Sequence, residues 1–449
     1  MNILHYSLGL PPYRSGGLTK YTIDLMEEQI NQGENVSLLF PGKIKLVNSK
    51  VNIKKYKNYK KIKVYELINP LPVPLLNGVC NIEKYTKKCD KQLFKCFLKE
   101  RNIEVIHVHT FMGLYKEFLD AAKSLNIKIL YTTHDYFGLC PKVNFLDLKG
   151  NVCLERCNEK CSKCNITSYN INTIKILQSG IYRFAKNQGL ILKFKKFLRK
   201  YKKVNKVNIE KNDKEVDLNF EIKNYNKLFN YYNDMFNKID FFLFNSNVTK
   251  HMYERFLDVK GKVISITHKD IVDKRIIRKY NTKKLKLCYL GPYKEYKGFN
   301  LMLDMMKSFE NEGILDITLD CYGDEYKKDG LGPNIILNGK YSYKDLSTIF
   351  NKVDLVIVPS LWYETFGFIV LEAISFGVPV MVTEKVGSKD IIKSEFWNRG
   401  FVVKEDEVKQ KVLEIFNDKN ILKEINKNIV KSNFNYDISN HCKEIKNYY

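Results

Sequence analysis

The chain has 449 residues, of which 44% are hydrophobic and 28% are charged, and its formal net charge at pH 7 is +25. This composition excludes a globally disordered protein and favours two or three domains with large buried cores. No run reaches about 18 consecutive apolar residues, which excludes a transmembrane helix, and residues 1–7 lack the regions of a signal peptide. We therefore expect a cytoplasmic protein whose eleven cysteines are mostly thiols or metal ligands.

The positive charge is concentrated in the first part of the chain. Residues 278–449 contain 26 basic and 24 acidic residues, a net charge of +2. Residues 1–277 contain 49 basic and 26 acidic residues, a net charge of +23. This asymmetry indicates that one domain faces an anionic partner, and charge alone does not choose between nucleic acid and a membrane surface.

Short apolar runs alternate with helical patterns from the N-terminus onward. The pattern predicts a buried strand at 2–7, a glycine-containing loop, and a helix at 18–32. It then predicts a helix at 114–125 and strands at 35–40, 105–108, 127–133 and 240–245. This β-α-β order favours a parallel, doubly wound sheet.

The same series restarts after residue 283. A helix is predicted at 300–311, and strands are predicted at 285–290, 317–322, 334–337, 354–358, 379–383 and 401–403. We therefore expect two similar α/β domains, with a ligand cleft between them at the carboxyl ends of both sheets. The predicted parts are domain 1–275, domain 276–432 and a segment 433–449 that can cross back to the first domain. A Cys-rich and then Lys- and Asn-rich stretch at about 140–238 is interpreted as an insertion in the first domain.

The stretch 353–373 carries the most chemical information. A buried strand runs into a loop and then a helix that is predicted to begin near Phe366, and a helix N-terminus is a natural phosphate site. Gly367 allows a ligand to approach the backbone closely, and Glu364 lies just before the helix. Glu372 lies inside an apolar run, where a carboxylate needs a partner. That partner could be the hydroxyl groups of a ligand, a nearby lysine or a backbone group.

Glu364 and Glu372, with their spacing and flanks, resemble the Glu-x7-Glu motif of the family-4 retaining glycosyltransferases, and the resemblance covers nearly the whole chain. It implies the GT-B fold, with two Rossmann-like doubly wound α/β domains facing a cleft. It also implies that Glu364 contacts the donor sugar at its reacting end and that Glu372 binds the nucleotide ribose. Amides of Thr365, Phe366 and Gly367 would hold the diphosphate and the sugar.

A second segment agrees with this resemblance. Residues 291–298 look like the family's phosphate-binding segment, in which Lys297 supplies a point charge suited to a diphosphate, although it could also be a solvated lysine. Pro292 stands where the family usually has arginine, and Lys294 could substitute for it. Residues 265–270 depart from the family's linker and receive no role.

Residues of the first domain also match the family. Gly16 and Gly17 match its first-loop glycines, which let the donor pass near the backbone, although a role in the turn alone is the alternative. His134 follows a predicted strand and matches the family's active-site histidine, whereas in isolation such a residue is more often structural. His107 and His109 are weaker candidates with an equally strong structural interpretation.

The resemblance implies sugar transfer from a nucleotide-diphosphate sugar with retained anomeric configuration, by front-face displacement. No catalytic metal is expected, because Lys297 and helix amides would neutralise the diphosphate. The predicted acceptor is a glycan or a lipid-linked molecule, in bacterial surface polysaccharide or glycolipid synthesis. The alternatives are a nucleotide-sugar epimerase of the same fold and a basic nucleic-acid-binding protein. No nucleic-acid motif is present, so we expect no nucleic-acid partner.

The insertion begins with a cysteine cluster. Cys153, Cys157, Cys161 and Cys164 are separated by three, three and two residues. This cluster resembles a subgroup of the same family that carries cysteines after a His-Asp-Tyr segment. Four thiols could close a structural zinc site, and the alternative is free thiols.

Two acid-free basic runs account for much of the charge asymmetry. Residues 190–203 could form a basic amphipathic helix of the kind that lies on anionic membranes, and residues 43–63 form the second run. The alternative is two solvated loops. The membrane interpretation predicts peripheral binding to the inner face of the cell membrane.

Overall fold

The structure is a computed structural model that describes residues 1–45, 48–191, 218–281, 283–324, 331–393 and 397–449. The chain divides into two compact units. The first contains residues 1–243, 256–261 and 445–449, and the second contains residues 244–255 and 262–444.

This division differs from the predicted domain boundaries. Residues 244–255 and 262–275 group with the second unit, although the sequence places them in the first domain. Residues 445–449 group with the first unit, where the Lys446 ammonium forms an ion pair with Glu34 at 2.5 Å.

The first sheet has eight strands in the order β3-β4-β2-β1-β5-β6-β7-β8. Its strands are β1 (Asn2–Tyr6), β2 (Asn35–Pro41), β3 (Asn52–Lys55), β4 (Lys63–Ile68), β5 (Val105–Val108), β6 (Lys128–Thr132), β7 (Phe241–Phe244) and β8 (Gly261–Val263). The strands from β4 to β7 pair in parallel, and β3 pairs antiparallel with β4. The parallel strands are nearly continuous apolar runs, as expected for strands covered on both faces.

Eight helices accompany this sheet in the described part of the first unit. They are α1 (Gly17–Asn31), α2 (Ile82–Tyr85), α3 (Lys91–Lys99), α4 (Lys116–Lys123), α5 (Asn158–Cys164), α6 (Ile171–Leu177), α7 (Gly180–Asn187) and α8 (Leu218–Phe236). The helices α5 to α8 belong to the predicted insertion.

The second sheet has six strands, all parallel, in the order β11-β10-β9-β12-β13-β14. Its strands are β9 (Leu285–Gly291), β10 (Ile317–Gly323), β11 (Ile335–Gly339), β12 (Leu355–Val358), β13 (Val380–Thr383) and β14 (Gly400–Val403). The strand order 3-2-1-4-5-6 is that of the Rossmann fold. The side chains of β9, β10 and β12 pack with those of the following helices in one apolar core.

The described helices of the second unit are α9 (Asn247–Glu254), α10 (Phe299–Asn311), α11 (Leu346–Lys352), α12 (Phe368–Ser375), α13 (Val408–Asn417) and α14 (Asn420–Lys431), and α15 (Ile438–Lys446) spans the unit boundary. Short 3-10 turns occur at Glu295–Lys297, Tyr343–Asp345, Gly387–Ile391 and Glu405–Glu407. None of the helices in the described ranges is long and apolar enough to cross a bilayer.

The structure confirms the predicted fold class, with two α/β units built on parallel sheets. The sequence interpretation missed β3, β4 and β8. Strand β3 lies within the basic run 43–63 and forms the sheet edge, where lysines are common because they discourage pairing with another chain. Further along this run, Lys60 pairs with Glu27. The described part of the run is therefore partly folded onto the sheet.

Candidate active site

The centre of the second sheet brings two distant loops together. Strands β9 and β12 are neighbours, and the strand order reverses direction between them, which is where ligands bind in such sheets. The loop after β9 carries Lys297 and the loop after β12 carries Glu364. The Lys297 ammonium lies 2.8 Å from the Glu364 carboxylate, with both side chains less than 20% exposed.

Gly298 makes this approach possible. Its φ is +74°, and a Cβ at this position would lie 1.9 Å from the carbonyl oxygen of Pro359. No larger residue fits there without moving one of the two loops apart. The Lys297 ammonium also lies 4.9 Å from the centre of the Trp362 ring, so the indole of Trp362 lies beside the ion pair.

Both oxygens of Glu364 have partners. One contacts Lys297, and the other accepts a hydrogen bond of 2.6 Å from the Ser360 hydroxyl. The backbone of Glu364 is held as well, because its N–H donates to the Lys385 carbonyl and its own carbonyl accepts from Gly387. The carboxylate is thereby fixed in orientation and balanced by one positive charge.

The loop after Glu364 leads into helix α12. The helix begins at Phe368 rather than near Phe366, because Gly367 caps it with a φ of +99°. The carbonyl of Thr365 accepts hydrogen bonds of 2.8 Å from the hydroxyls of Ser246 and Thr249, which anchors the loop. The first-turn amides of α12 therefore begin directly beside the Lys297–Glu364 pair, and such amides suit an anion.

A buried hydroxyl lies next to this helix start. The Ser388 N–H donates to the Phe366 carbonyl at 2.8 Å, while the Ser388 hydroxyl has no hydrogen-bond partner in the described residues. A Cβ on Gly367 would lie 3.3 Å from that hydroxyl oxygen. A group bound at this helix start could therefore accept a hydrogen bond from Ser388.

Glu372 lies on the second turn of α12 and is only 3% exposed. One carboxylate oxygen lies 3.2 Å from Nε2 of His268, while the other is buried and has no partner among the described residues. The Asp270 N–H donates to Nδ1 of His268, so Nε2 carries the proton and donates to Glu372. Among the described residues, the side-chain partner of Glu372 is therefore a histidine and not the lysine or backbone group that the sequence left as alternatives.

His268 belongs to the segment that received no role in the sequence interpretation. Its ring packs edge-on against Tyr343 and Phe368, with centroid distances of 5.1 and 5.0 Å. Burial raises the pKa of the nearby Tyr341, and the charge of Glu372 adds to this effect. No sequence signal identified His268 or Ser360, because their roles follow from the sheet order rather than from spacing.

The predicted glycines of the first unit lie at the start of α1, and its predicted histidines lie at the ends of central strands. Gly16 has a φ of +112° and immediately precedes α1, which begins at Gly17. His134 follows β6 and is partly exposed, whereas His107 and His109 are fully buried. The contacts within the first unit do not test whether Gly16, Gly17 and His134 take part in binding or catalysis. Those roles stay predictions, as does the replacement of the missing arginine by the exposed Lys294.

The cysteine cluster is only partly assembled. Within the described residues, no three of its sulfur atoms lie within 4.8 Å of one another. Burial raises the pKa of Cys140 to about 11 and of Cys161 to about 12, and the charge of Cys153 contributes to both shifts. The charge of Cys164 also raises the pKa of Cys161, whereas a hydrogen bond from the backbone of the exposed Cys157 opposes the shift.

Residues 271–432 match the model of the family described as glycosyl transferases group 1. The matched segment is about a third of the chain. It contains Lys297, Glu364, Gly367 and Glu372, so the geometry described above lies inside it.

Two curated relatives match shorter segments of the chain. An uncharacterized 41.2 kDa protein in the cps region of Klebsiella pneumoniae is 26% identical over 111 residues, or 24% of this chain. An uncharacterized glycosyltransferase, MJ1607 of Methanocaldococcus jannaschii, is 27% identical over 116 residues, also 24% of this chain. The matched segments span 30% of the length of each relative.

Solved structures match over the whole chain at low identity. Sucrose-phosphate synthase from Thermosynechococcus elongatus has a TM-score of 0.58 at 13% identity, covering 100% of this chain and 98% of its own. Anabaena Alr3699/HepE in complex with UDP and glucose has a TM-score of 0.55 at 12% identity, covering 99% and 98%. The lipopolysaccharide outer core galactosyltransferase WaaB has a TM-score of 0.57 at 12% identity, covering 100% of both chains. These similarities show the fold, which is GT-B.

Proposed function

We propose that the protein is a retaining glycosyltransferase that moves a sugar from a nucleotide-diphosphate sugar to a glycan or lipid-linked acceptor. The observation that carries the proposal is the Lys297–Glu364 pair at the start of α12, with the buried carboxylate of Glu372 one turn further on. This arrangement offers a cation and helix amides to a diphosphate, and an open carboxylate oxygen to a ribose. Structures of Alr3699/HepE in complex with UDP and with UDP-glucose support a nucleotide-sugar donor.

In the proposed mechanism, the main contribution of the protein to catalysis is electrostatic stabilisation of the leaving diphosphate. Negative charge develops on the diphosphate as the bond to the sugar breaks, and Lys297 with the α12 amides would stabilise it. The acceptor hydroxyl attacks from the same face, and its proton passes to the departing diphosphate. Glu364 would hold the sugar in place beside the reacting carbon. No catalytic metal is required in this proposal, because Lys297 and the amides supply the positive charge.

A role in surface polysaccharide or glycolipid synthesis is part of the proposal. It is supported by the similarity to the lipopolysaccharide galactosyltransferase WaaB and to the protein in the cps region of Klebsiella pneumoniae. The acceptor would then be a growing glycan or its lipid carrier.

A donor screen tests the proposed activity. The protein is incubated with UDP-glucose and a panel of other nucleotide sugars, with and without glycolipid acceptors. We expect release of the free nucleotide diphosphate and a product whose anomeric configuration, read by NMR, equals that of the donor. An inverted product contradicts the retaining mechanism. An epimerised nucleotide sugar as the sole product contradicts sugar transfer.

We also propose that the first unit binds an anionic membrane surface. Residues 160–209 contain no acid, and the helices α6 and α7 in this stretch expose large apolar side chains. Ile176 is 60% exposed, Ile181 is 82% exposed and Phe184 is 64% exposed. Apolar side chains among lysines are typical of helices that lie on membranes. Most of the predicted basic helix, residues 192–203, lies outside the described residues.

We predict that a variant with both Ile181→Ser and Phe184→Ser binds anionic liposomes at least tenfold more weakly than the wild type. Each buried side chain of this size contributes about 1.5–3 kcal/mol on leaving water. Co-sedimentation with vesicles that contain anionic lipid measures the effect.

The matched control replaces two exposed apolar residues of the second unit, Leu315→Ser and Ile336→Ser, and should leave binding unchanged. Added salt should also weaken wild-type binding. A third variant changes basic residues outside the described part to Gln and should release the protein as well: Lys195, Lys196, Arg199, Lys200, Lys202 and Lys203. Wild-type protein that does not bind anionic liposomes at low salt would contradict the membrane proposal.

A structural zinc site in the cysteine cluster remains a proposal. The proposed ligands are Cys153, Cys157, Cys161 and Cys164, whose thiolates would close the site. Zn–S bonds of about 2.3 Å require the sulfurs to lie closer together than they do in this structure.

We predict about one zinc per chain in protein purified without chelators, because four clustered thiolates bind zinc tightly. Cys161→Ser should lose this metal, and Cys96→Ser, a change at an exposed cysteine outside the cluster, should retain it. Elemental mass spectrometry measures the content. Wild-type protein without zinc contradicts the site.

A further inference from the structure

A cavity of about 260 Å³ opens near the end of strand β4 in the first unit. Its apolar lining includes Pro70, Leu71 and Pro72, which follow β4, and Tyr115, which precedes α4. All four of these residues are buried. The cavity therefore lies at the carboxyl edge of the parallel part of the sheet, which is where ligands bind in α/β folds.

Four lysines line the same cavity, and they come from separate segments of the unit. Lys45 follows β2, Lys84 lies on α2, Lys87 follows α2 and Lys175 lies on α6. Within the described residues, none of these four ammonium groups has a hydrogen bond or an ion pair, and no acidic residue lines the cavity. Four like charges around one small cavity repel one another, so a bound anion would stabilise them. We call this cavity the lysine pocket.

Asn69 fixes the segment that carries Lys45. The asparagine is buried and has a φ of +54°. Its side-chain oxygen accepts a hydrogen bond of 2.7 Å from the Lys45 N–H, and its side-chain nitrogen donates to the carbonyls of Asn48 and Lys50 at 2.7 and 2.8 Å. Its own carbonyl accepts a hydrogen bond of 2.7 Å from the Tyr115 hydroxyl. One buried residue therefore ties the basic segment to the apolar lining of the pocket.

Gln178 at the end of α6 fixes the helix that carries Lys175. Its carbonyl accepts a hydrogen bond of 3.1 Å from the Ile44 N–H, and its side-chain oxygen accepts one of 2.8 Å from the Val73 N–H. Lys175 and Ile171 both line the pocket and are four residues apart, so they lie on the same face of α6. The positive charge is therefore held by segments that are hydrogen-bonded to one another.

The segments that build the pocket also expose large apolar side chains, those of Leu76, Ile166 and Ile176. The loop that contains Leu76 contacts the turn before Ile166, because the Val79 N–H donates to the side-chain oxygen of Asn165 at 2.8 Å. Ile176 lies on α6, next to a lysine of the pocket. A lipid whose polar head entered the pocket could therefore keep its chain against an apolar surface.

We propose that the lysine pocket binds a terminal phosphate or diphosphate group attached to a lipid. Lysine ammonium groups are compact point charges, and four of them suit the roughly two charges of a terminal phosphate better than the single charge of a phosphodiester. The cavity is smaller than the about 300–1,000 Å³ of pockets that enclose a whole drug-sized ligand, so it accepts the head group while the chain stays outside. That the lipid carries the sugar acceptor rests on the proposed function.

Co-flotation of the full chain with phosphatidylcholine vesicles tests the proposal. Three kinds of vesicle carry equal anionic charge, supplied by phosphatidylglycerol, by phosphatidic acid or by a polyprenyl diphosphate. We expect the wild type to bind at least one of the two vesicles with terminal phosphates about tenfold or more tightly than the vesicles with phosphatidylglycerol. Stronger binding of the polyprenyl diphosphate assigns the pocket to a lipid carrier, and stronger binding of phosphatidic acid assigns it to a phospholipid head group. Equal affinity for all three overturns the proposal.

A pocket variant and a matched control separate the lysine pocket from general attraction to negative charge. The pocket variant changes four lysines to Gln and should lose the preference: Lys45, Lys84, Lys87 and Lys175. The control removes the same charge from four other exposed lysines of the first unit and should keep the preference: Lys54, Lys55, Lys91 and Lys99. Circular dichroism checks that both are folded, and the single variants Lys84→Gln and Lys87→Gln should each reduce the preference if the fourfold variant is not. A preference that survives in the pocket variant, or is lost equally in the control, overturns the proposal.

Two further variants distinguish this pocket from the sites proposed above. Lys297→Gln should keep the preference, because Lys297 belongs to the second unit, and its loss there would overturn the proposal by assigning the phosphate to the donor site. Ile181→Ser with Phe184→Ser should weaken binding to all three vesicles by the same factor. The assay needs no turnover, so a failed donor screen leaves the lysine pocket valid, and a missing preference leaves the donor site valid.

Discussion

Replacing Glu364 by Gln is expected to lower kcat for sugar transfer by roughly two orders of magnitude or more. The carboxylate lies between Lys297 and Ser360, at 2.8 and 2.6 Å. Gln keeps the shape and one acceptor oxygen but removes the negative charge that we propose acts on the donor sugar.

Two measurements separate the effect of Glu364→Gln on turnover from its effect on nucleotide binding. They are steady-state kinetics and calorimetric titration with UDP, or with the nucleotide found in the donor screen. Nucleotide affinity should change by less than about threefold, because the proposed partner of Glu364 is the sugar. Glu384→Gln, an exposed change in the same unit, is the control. A kcat within about twofold of the wild type would remove Glu364 from the active site.

Glu372→Gln is expected to weaken nucleotide binding about tenfold or more, since a hydrogen bond to a charged group contributes about 1.5–3 kcal/mol. The substitution is expected to remove only one of the two contacts of the carboxylate. The amide oxygen can keep the contact with His268, while the NH2 group replaces the open carboxylate oxygen and cannot accept from a ribose hydroxyl.

A thermodynamic cycle with a modified nucleotide tests directly whether the lost affinity comes from a contact between Glu372 and the ribose hydroxyls. The wild type should lose affinity for a nucleotide that lacks the ribose 2′- and 3′-hydroxyls, whereas Glu372→Gln should lose little more. Circular dichroism and thermal melting check that the variant is folded. Unchanged affinity of folded Glu372→Gln for the normal nucleotide would rule out the proposed contact.

The fold could be predicted because its signal is local. Buried parallel strands such as β1, β5 and β12 are continuous apolar runs, and their alternation with helical periodicity is visible in any short window. The edge strand β3 carries no such run, so it was missed. The start of α12 was misplaced by two residues because the backbone angle of Gly367, rather than the apolar pattern, ends the loop.

Candidate site residues could be predicted only where several chemically informative residues lie close together in the sequence. Glu364, Gly367 and Glu372 lie within nine residues, so a sequence motif contains them. His268 lies 104 residues from Glu372, and no periodicity connects the two.

By itself, the sequence determined two parallel α/β units and placed Glu364, Gly367 and Glu372 in one motif, because both depend on short patterns of burial and charge. Only the tertiary structure decided the partners. The neighbouring positions of β9 and β12 pair Lys297 with Glu364. Such contacts depend on the order of strands in a sheet, and that order is fixed by long-range packing that no local pattern encodes.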